Sequence, residues 1–279
     1  MIRLDNISFK YAGSEAFALR DINISVGAGE FVGVIGPAGA GKSTLAQALS
    51  GVVPHVRRGD FYGAAWVDGS DTVNTTPAEL ARSVGCVFQD VESQFATTMV
   101  EDEILYALEN FSVPREDMPE RVNQALLDMG IGDLRERSLF SLSGGQKQKV
   151  ALAAVMALAP KLLVLDEPTG ELDPKSSVQV LRLLQLMREK RGTTIVIVEQ
   201  KIMLLCEFAD RLIVMDKGRI ALDGSVRELL NQPDQLLELG VNCPRVTSLA
   251  ARMKARGWTN REPPINIPEA ERMVREAIS

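Results

Sequence analysis

The run Phe31-Val32-Gly33-Val34-Ile35-Gly36-Pro37-Ala38-Gly39-Ala40-Gly41-Lys42-Ser43-Thr44-Leu45-Ala46-Gln47-Ala48-Leu49 decides the fold. Its first five residues are apolar and rich in β-branched side chains, which predicts a short buried strand. Its last six predict the first turns of a helix. Between them, residues 36–43 fit G-x-x-x-x-G-K-[ST], the pattern of a phosphate-binding loop. Glycines let such a loop wrap with its N–H groups pointing inward, and the helix N-terminus adds partial positive charge. In this pattern Lys42 reaches the β- and γ-phosphates, and the Ser43 hydroxyl takes Mg²⁺. Gly36, Pro37, Ala38, Gly39, Ala40, Gly41 and Thr44 complete the candidate nucleotide cradle.

Upstream, residues 3–10 and 19–26 alternate apolar and polar, as half-buried strands do. A turn at Ala12-Gly13-Ser14 separates them, and Gly27-Ala28-Gly29-Glu30 leads into the Phe31 strand. The expectation is antiparallel β structure feeding the loop. Downstream, 57–60 reads as a loop, 61–68 as a strand and 84–88 as a buried strand ending at Gln89. Residues 100–110 and 119–129 carry apolar spacing near 3.6 and predict helices, an α-helical insertion between two β-rich blocks. A helix opens at Ser143 and breaks at Pro160-Lys161. Leu162-Leu163-Val164-Leu165 reads as a buried strand, 176–190 as a helix opened by Pro174, and 193–198 as another buried strand. A hairpin is expected around Lys217-Gly218. Strands alternating with helices predict a parallel α/β sheet. Beyond about Leu230 prolines punctuate two short helical patterns, 245–256 and 268–278, which read as a small appended region.

Two acids follow the Leu162 strand. Asp166 stands at its carboxyl end, where open α/β sheets bind ligands, and a carboxylate there can hold Mg²⁺ through water. Glu167, on the opposite face of the strand, can polarise a water for attack on a γ-phosphate. Ser143-Gly144-Gly145 makes a second anion-binding helix start, with Ser143 as N-cap. One nucleotide does not need two such helices from one chain. A dimer in which this loop covers the nucleotide of the other subunit resolves the surplus.

Leu142-Ser143-Gly144-Gly145-Gln146 matches letter for letter the signature of ATP-binding cassette (ABC) ATPases, and it lies between the phosphate loop and the Asp166-Glu167 strand in that family's order. The resemblance covers roughly residues 2–230. It implies an α/β P-loop NTPase of ABC type: a parallel RecA-like core sheet, an N-terminal antiparallel β subdomain, an α-helical subdomain at about 90–158, and here a C-terminal helical extension at 231–279. It further implies that Gln89 is the Q-loop residue contacting Mg²⁺ and the membrane partner, that Tyr11 stacks on adenine, and that Ser143, Gly144, Gly145 and Gln146 close the partner's site. Gly170-Glu171-Leu172-Asp173 resembles the D-loop, with Asp173 at the subunit interface. ATP and Mg²⁺ are the cofactors so implied, with Ser43, Gln89 and Asp166 around the metal and Glu167 as the catalytic residue.

Val87-Phe88-Gln89-Asp90 with Gln94 resembles the Q-loop of energy-coupling factor (ECF) transporter ATPases. The tail segments 239–249 (Leu239 to Leu249) and 265–270 (Ile265 to Ala270) resemble that subgroup's C-terminal region, which helps to hold two ATPases together. The resemblance implies a homodimer, or a heterodimer with a paralogous ATPase, working with an integral-membrane coupling subunit and a substrate-binding membrane subunit in uptake of vitamins or of cobalt and nickel ions. Two departures stand out. Gln200 occupies the position of the switch His; it can donate a hydrogen bond to a γ-phosphate but carries no proton or positive charge. Lys149 stands where many relatives have Arg. A soluble non-transport ABC ATPase, and a weakly hydrolysing subunit paired with an active paralogue, stay open as alternatives.

The 279-residue composition, 46% hydrophobic and 24% charged, is that of a globular chain. A net charge of −6 disfavours a broad nucleic-acid surface. The chain has no apolar run of membrane-spanning length and no signal-peptide pattern at its start, and its three widely spaced cysteines fit reduced thiols. The expected location is the cytoplasmic face of the cell membrane. The single His, His55, reads as an exposed loop residue, and Glu101-Asp102-Glu103 as acids favouring a helix N-terminus.

Overall fold

The computed structural model describes residues 1–278. Its strands are β1 (Ile2–Tyr11), β2 (Leu19–Val26), β3 (Phe31–Ile35), β4 (Gly59–Val67), β5 (Ser70–Asp71), β6 (Val84–Val87), β7 (Leu162–Asp166), β8 (Thr194–Val198), β9 (Arg211–Asp216) and β10 (Arg219–Ser225). Its helices are α1 (Lys42–Leu49), α2 (Val52–His55), α3 (Pro77–Leu80), α4 (Val100–Asn110), α5 (Met118–Met129), α6 (Gly144–Ala157), α7 (Pro174–Arg191), α8 (Ile202–Phe208), α9 (Val226–Leu230), α10 (Pro233–Glu238), α11 (Arg245–Ala255) and α12 (Ile267–Ile278).

Two sheets organise these elements. The six-stranded sheet has the order β10-β9-β3-β8-β7-β6, parallel from β9 to β6 with β10 antiparallel at one edge. Its central strands are apolar at nearly every position because both faces are covered. Alternate residues serve different cores. Phe31, Leu163, Leu165, Ile195 and Ile197 pack with the helices on one face. Val32, Val34, Leu162, Val164 and Val196 pack with α1 and the other sheet. The strands β6 and β7, far apart in sequence, are neighbours in this sheet, so the helical insertion of α4, α5 and α6 is looped out of a continuous sheet.

The second sheet, β2-β1-β4-β5, is antiparallel. Its strands do not alternate in one phase. Ile2 and Leu4 are buried, and then Ile7 and Phe9, because Asn6 takes a left-handed backbone with φ 55° and shifts the register. Asp21 and Gly63, with φ 50° and 87°, shift β2 and β4 in the same way. At Gly63 a side chain would strike the Asn6 carbonyl, so the bulges are mutually fitted. The loop expected at 57–60 is shorter than read: Gly59 and Asp60 already pair with Tyr11 and Lys10. The hairpin strand β10 extends past the expected 219–222, because Arg211 on β9 forks onto Asp223.

The acids at the start of α4 do more than favour a helix dipole. Glu101 is forked by Arg135. Glu103 is buried and accepts from the Ala96 and Thr97 N–H groups and the Thr97 hydroxyl. His55 is exposed, at the end of the short turn α2, and its Nε2 lies 2.9 Å from the Thr72 carbonyl. All three cysteines are free thiols. After β10, Leu236 and Val241 join the main core, whereas Ala250, Met253 and Met273 of α11 and α12 form a small separate cluster. Arg227 on α9 ties α12 to the body through Glu269 (3.0 Å).

Candidate active site

Loops at the carboxyl ends of β3, β6, β7 and β8 converge on one edge of the parallel sheet, where such sheets bind ligands. From β3 comes the phosphate-binding loop. Gly36 has φ 143°, and a Cβ there would meet the Met215 carbonyl, so only glycine fits. Gly41 has φ 98° and lies close against the Ala18 carbonyl. Gly39 is left-handed with open space around it, and Pro37, Ala38 and Ala40 complete the turn, with the Ala40 N–H donating to the Pro37 carbonyl (3.2 Å). Lys42 opens α1, and its ammonium donates to the carbonyls of Gly36 and Pro37, both at 2.9 Å. Burial holds its pKa below the ordinary lysine value, while Glu167 and Asp166 pull the other way. Ser43 is exposed on the site side of α1 and Thr44 is buried behind it.

From β7 come the two acids. Asp166 is only 3% exposed, and its Oδ1 has no hydrogen-bond partner. Desolvation pushes its pKa up and the nearby Glu167 and Glu199 charges add to this, while the Ser43 hydroxyl and Lys42 oppose it. A carboxylate whose pKa is raised by folding costs stability as pH rises through that range, and a cation at the free oxygen relieves the cost. One buried carboxylate beside a serine hydroxyl suits Mg²⁺, which completes its shell with waters and phosphate oxygens. Among the described residues no group of three or more His, Cys, Asp and Glu gathers into a protein-only cage.

Glu167 does not simply continue the strand onto the opposite face. The strand ends at Asp166, and Glu167 turns with φ 52°, its N–H held by the Val198 carbonyl (2.9 Å). This is a left-handed conformation that non-glycine residues adopt at a cost, and functional sites are where such strain collects. The turn brings its carboxylate between two amides. Gln200 Nε2, from the end of β8, donates to one oxygen at 2.6 Å, and Gln89 Nε2, from the end of β6, to the other at 3.3 Å. The side chain of Gln94 braces the Gln89 loop by accepting from the Phe88 N–H (3.0 Å).

The remaining expected residues fall around this centre. Tyr11 donates its hydroxyl to Gln47 (3.1 Å) and sits 2.9 Å from the Thr44 hydroxyl, so its ring is fixed against α1 beside the phosphate loop. Ser143 and Gln146 form a reciprocal capping box at the start of α6. Gly145 lies against the Glu171 carbonyl, at a distance that a Cβ would shorten to 2.9 Å. Asp173 caps α7 by accepting from Lys175 and Ser176 N–H, and its pKa is lowered first by the Ser176 side chain, then by those backbone bonds and the Lys149 charge. Gly144 and Gly145 are therefore packed against Glu171 and Leu172 of their own chain.

Sequence reading gave Glu103 only a helix-dipole role and passed over Thr169, Glu199 and Lys201. Glu199 and Lys201 flank Gln200, and Glu199 is 2% exposed directly after four buried apolar residues. A charge in that position must find partners, which is the signal that marks it.

A family model described as "ABC transporter" matches residues 19–170, more than half of the chain. The chain belongs to the ABC transporter ATPase family. Among relatives of this ABC ATPase, an ABC transporter ATP-binding protein of Pyrococcus abyssi is 42% identical over 261 residues, spanning 94% of this chain and 93% of its own. The energy-coupling factor transporter ATP-binding protein EcfA1 of Levilactobacillus brevis is 34% identical over 98% of this chain and 95% of its own. The structure of CbiO1 from Clostridium perfringens, part of the ABC transporter complex CbiONQ, superposes with a TM-score of 0.72 at 30% identity, covering 90% of this chain and 98% of that one. The fold is that of an ABC ATPase cassette, and ATPases of the ECF and CbiO branch are among its relatives over nearly the whole chain.

Proposed function

We propose that this ABC ATPase binds ATP with Mg²⁺, hydrolyses it at a dimer interface, and drives uptake of a small solute, a vitamin or a transition-metal ion, through membrane partners. The single observation that supports this most is the Glu167 carboxylate, held between Gln89 and Gln200 beside the loop of Lys42 and Ser43. In that reading Lys42 and the loop amides hold the phosphates and Glu167 accepts the proton of the attacking water. Ser43, Asp166 and Gln89 would hold Mg²⁺, which when bound screens the charge of the phosphate oxygens. Tyr11 would receive the adenine. Ser143, Gly144, Gly145 and Gln146, with Asp173, would face the nucleotide of a second subunit, identical or paralogous. The ABC domain would span 1–230, with 231–279 as a dimerisation extension. Exposed Leu249, Ile267 and Ile278 support that last assignment.

A groove of roughly 350 Å³ between β6 and the helices α4 and α6 supports a membrane partner. Its lining includes Phe88, Phe95, Tyr106 and Phe111, next to the Gln89 loop. No described helix is long and apolar enough to cross a membrane, so the apolar span would come from the partner. Purification from detergent-solubilised membranes is the test: the chain should bring integral-membrane subunits with it and lose them when Phe95 is changed to Asp. Recovery of the chain alone in both cases would sink the transporter reading.

Gln200 donates to Glu167 but has no titrating proton. Gln200→His is therefore expected to raise ATP turnover, by about tenfold at most. A rate equal to or below that of the natural chain would show that the amide is no handicap.

A further inference from the structure

The loop that carries Gln200 is tied to the loop that follows Glu167 by the side chains of Glu199, Lys201 and Thr169. Glu199 is buried, and its Oε2 accepts the Thr169 hydroxyl while its Oε1 accepts the N–H groups of Gln200 (2.9 Å) and Lys201 (3.2 Å). Lys201 runs the other way. Its ammonium donates to the Thr169 carbonyl at 2.6 Å, and to the Leu172 carbonyl and the Ser177 hydroxyl, both at 3.4 Å. Thr169, with no exposed surface, is thus gripped at both ends: its hydroxyl by Glu199 and its carbonyl by Lys201. The two charged residues form no ion pair with each other; each spends its hydrogen bonds on the neighbouring loop or the backbone beside it. Residues 169–173 lead directly into the Asp173 cap of α7 and lie against Gly144 and Gly145.

A tie of this kind has a mechanical consequence. Residues 169–173 cannot shift without moving the Thr169 hydroxyl and carbonyl, and through them the backbone at 199–201. Gln200 hangs from that backbone and holds one oxygen of Glu167. We propose that Glu199 and Lys201 are positioning residues that lock the 169–173 segment to the Gln200 loop, so that contact of this segment with a second subunit sets the alignment of Glu167. The proposal rests on the reading of the site as an ATPase completed by a second subunit. It adds a route by which docking of that subunit reaches the hydrolytic carboxylate.

The experiment measures steady-state ATP turnover per bound nucleotide, with bound nucleotide counted by a non-hydrolysable ATP analogue. Lys201→Met removes the three donors at similar length. Thr169→Val removes the hydroxyl and keeps the volume, while Thr169→Ser keeps the hydroxyl. Turnover per site is expected to fall about tenfold in Lys201→Met and Thr169→Val, with KM for ATP within about twofold of the natural chain and Thr169→Ser within about threefold in turnover. Natural turnover in Lys201→Met overturns the proposal. So does natural turnover in Thr169→Val, because the hydroxyl held by Glu199 would then be dispensable. If Lys201→Met does not fold, the Thr169 pair decides by the same criteria. Wild type and Glu167→Gln run alongside. Equal rates in those two would refute the ATPase reading itself, whereas a normal wild type with a normal Lys201→Met refutes only the tie.

Discussion

Replacing Glu167 by Gln is expected to lower ATP turnover by about 100-fold or more while ATP binding is kept. The substitution removes a charge and nothing else of size. The backbone at 167 is left-handed with φ 52°, and Glu and Gln bear that conformation equally, so the turn has no reason to change. What changes is the pairing. The natural carboxylate offers an acceptor oxygen to each of two amide donors, Gln200 at 2.6 Å and Gln89 at 3.3 Å. A glutamine offers one. The shorter bond to Gln200 should survive and the longer one to Gln89 should open, which costs little because Gln89 is exposed. The loss then falls on chemistry, because an amide does not accept a proton from water at neutral pH. The measurement is phosphate release against ATP affinity for the same preparation. A variant that hydrolyses at more than about a tenth of the natural rate would remove Glu167 from the role of base.

How much of this was legible in the sequence depends on the range of the interaction. The strand Phe31–Ile35, the glycine loop and α1 were legible because local pattern and local chemistry agree. The buried strands β7 and β8 were legible from apolar runs, and the N-cap role of Ser143 from residue type. The phase slips at Asn6 and Asp21 were not. A bulge shows itself in one strand only as a broken alternation, and at Asn6 the fitted partner is Gly63, far along the chain. Glu103 was read through its own helix, as an acid in a first turn. Its buried oxygens in fact hold the loop at Ala96 and Thr97, which precedes that helix. Glu167 was placed by strand alternation, and the alternation stops one residue earlier. Glu199 and Lys201 looked like mere neighbours of Gln200, because their partners lie about thirty residues away at Thr169 and Leu172. Pattern rules see side-chain period, and these contacts belong to the juxtaposition of strand ends, which only the sheet order supplies.

Lys42→Met is expected to weaken ATP binding by about 100-fold and to cost almost no stability. The two halves of that statement come from the same environment. Lys42 is 7% exposed and its ammonium is held by the carbonyls of Gly36 and Pro37. Its pKa nonetheless lies below the ordinary lysine value, with burial as the largest cause, so folding disfavours the charged form on balance. A methionine fills the same channel without that desolvation and forfeits two hydrogen bonds, and these contributions oppose each other. For a polyphosphate the balance is different. The natural loop faces it with one ammonium against two carboxylates, Asp166 and Glu167, both close enough to act on the lysine's titration. Without the ammonium, two negative charges remain beside a ligand that is itself strongly negative, and the repulsion from buried Asp166 is poorly screened. The check is thermal unfolding with and without ATP and Mg²⁺. A bound ligand at about 100 times its Kd raises stability by about 2.7 kcal/mol, so the natural chain should show a clear rise in its midpoint. Lys42→Met should match the natural midpoint without ligand and show almost no rise with it. An equal rise in both proteins would mean that the phosphates are held elsewhere, and a midpoint already lowered without ligand would mean that the ammonium serves the fold and not the nucleotide.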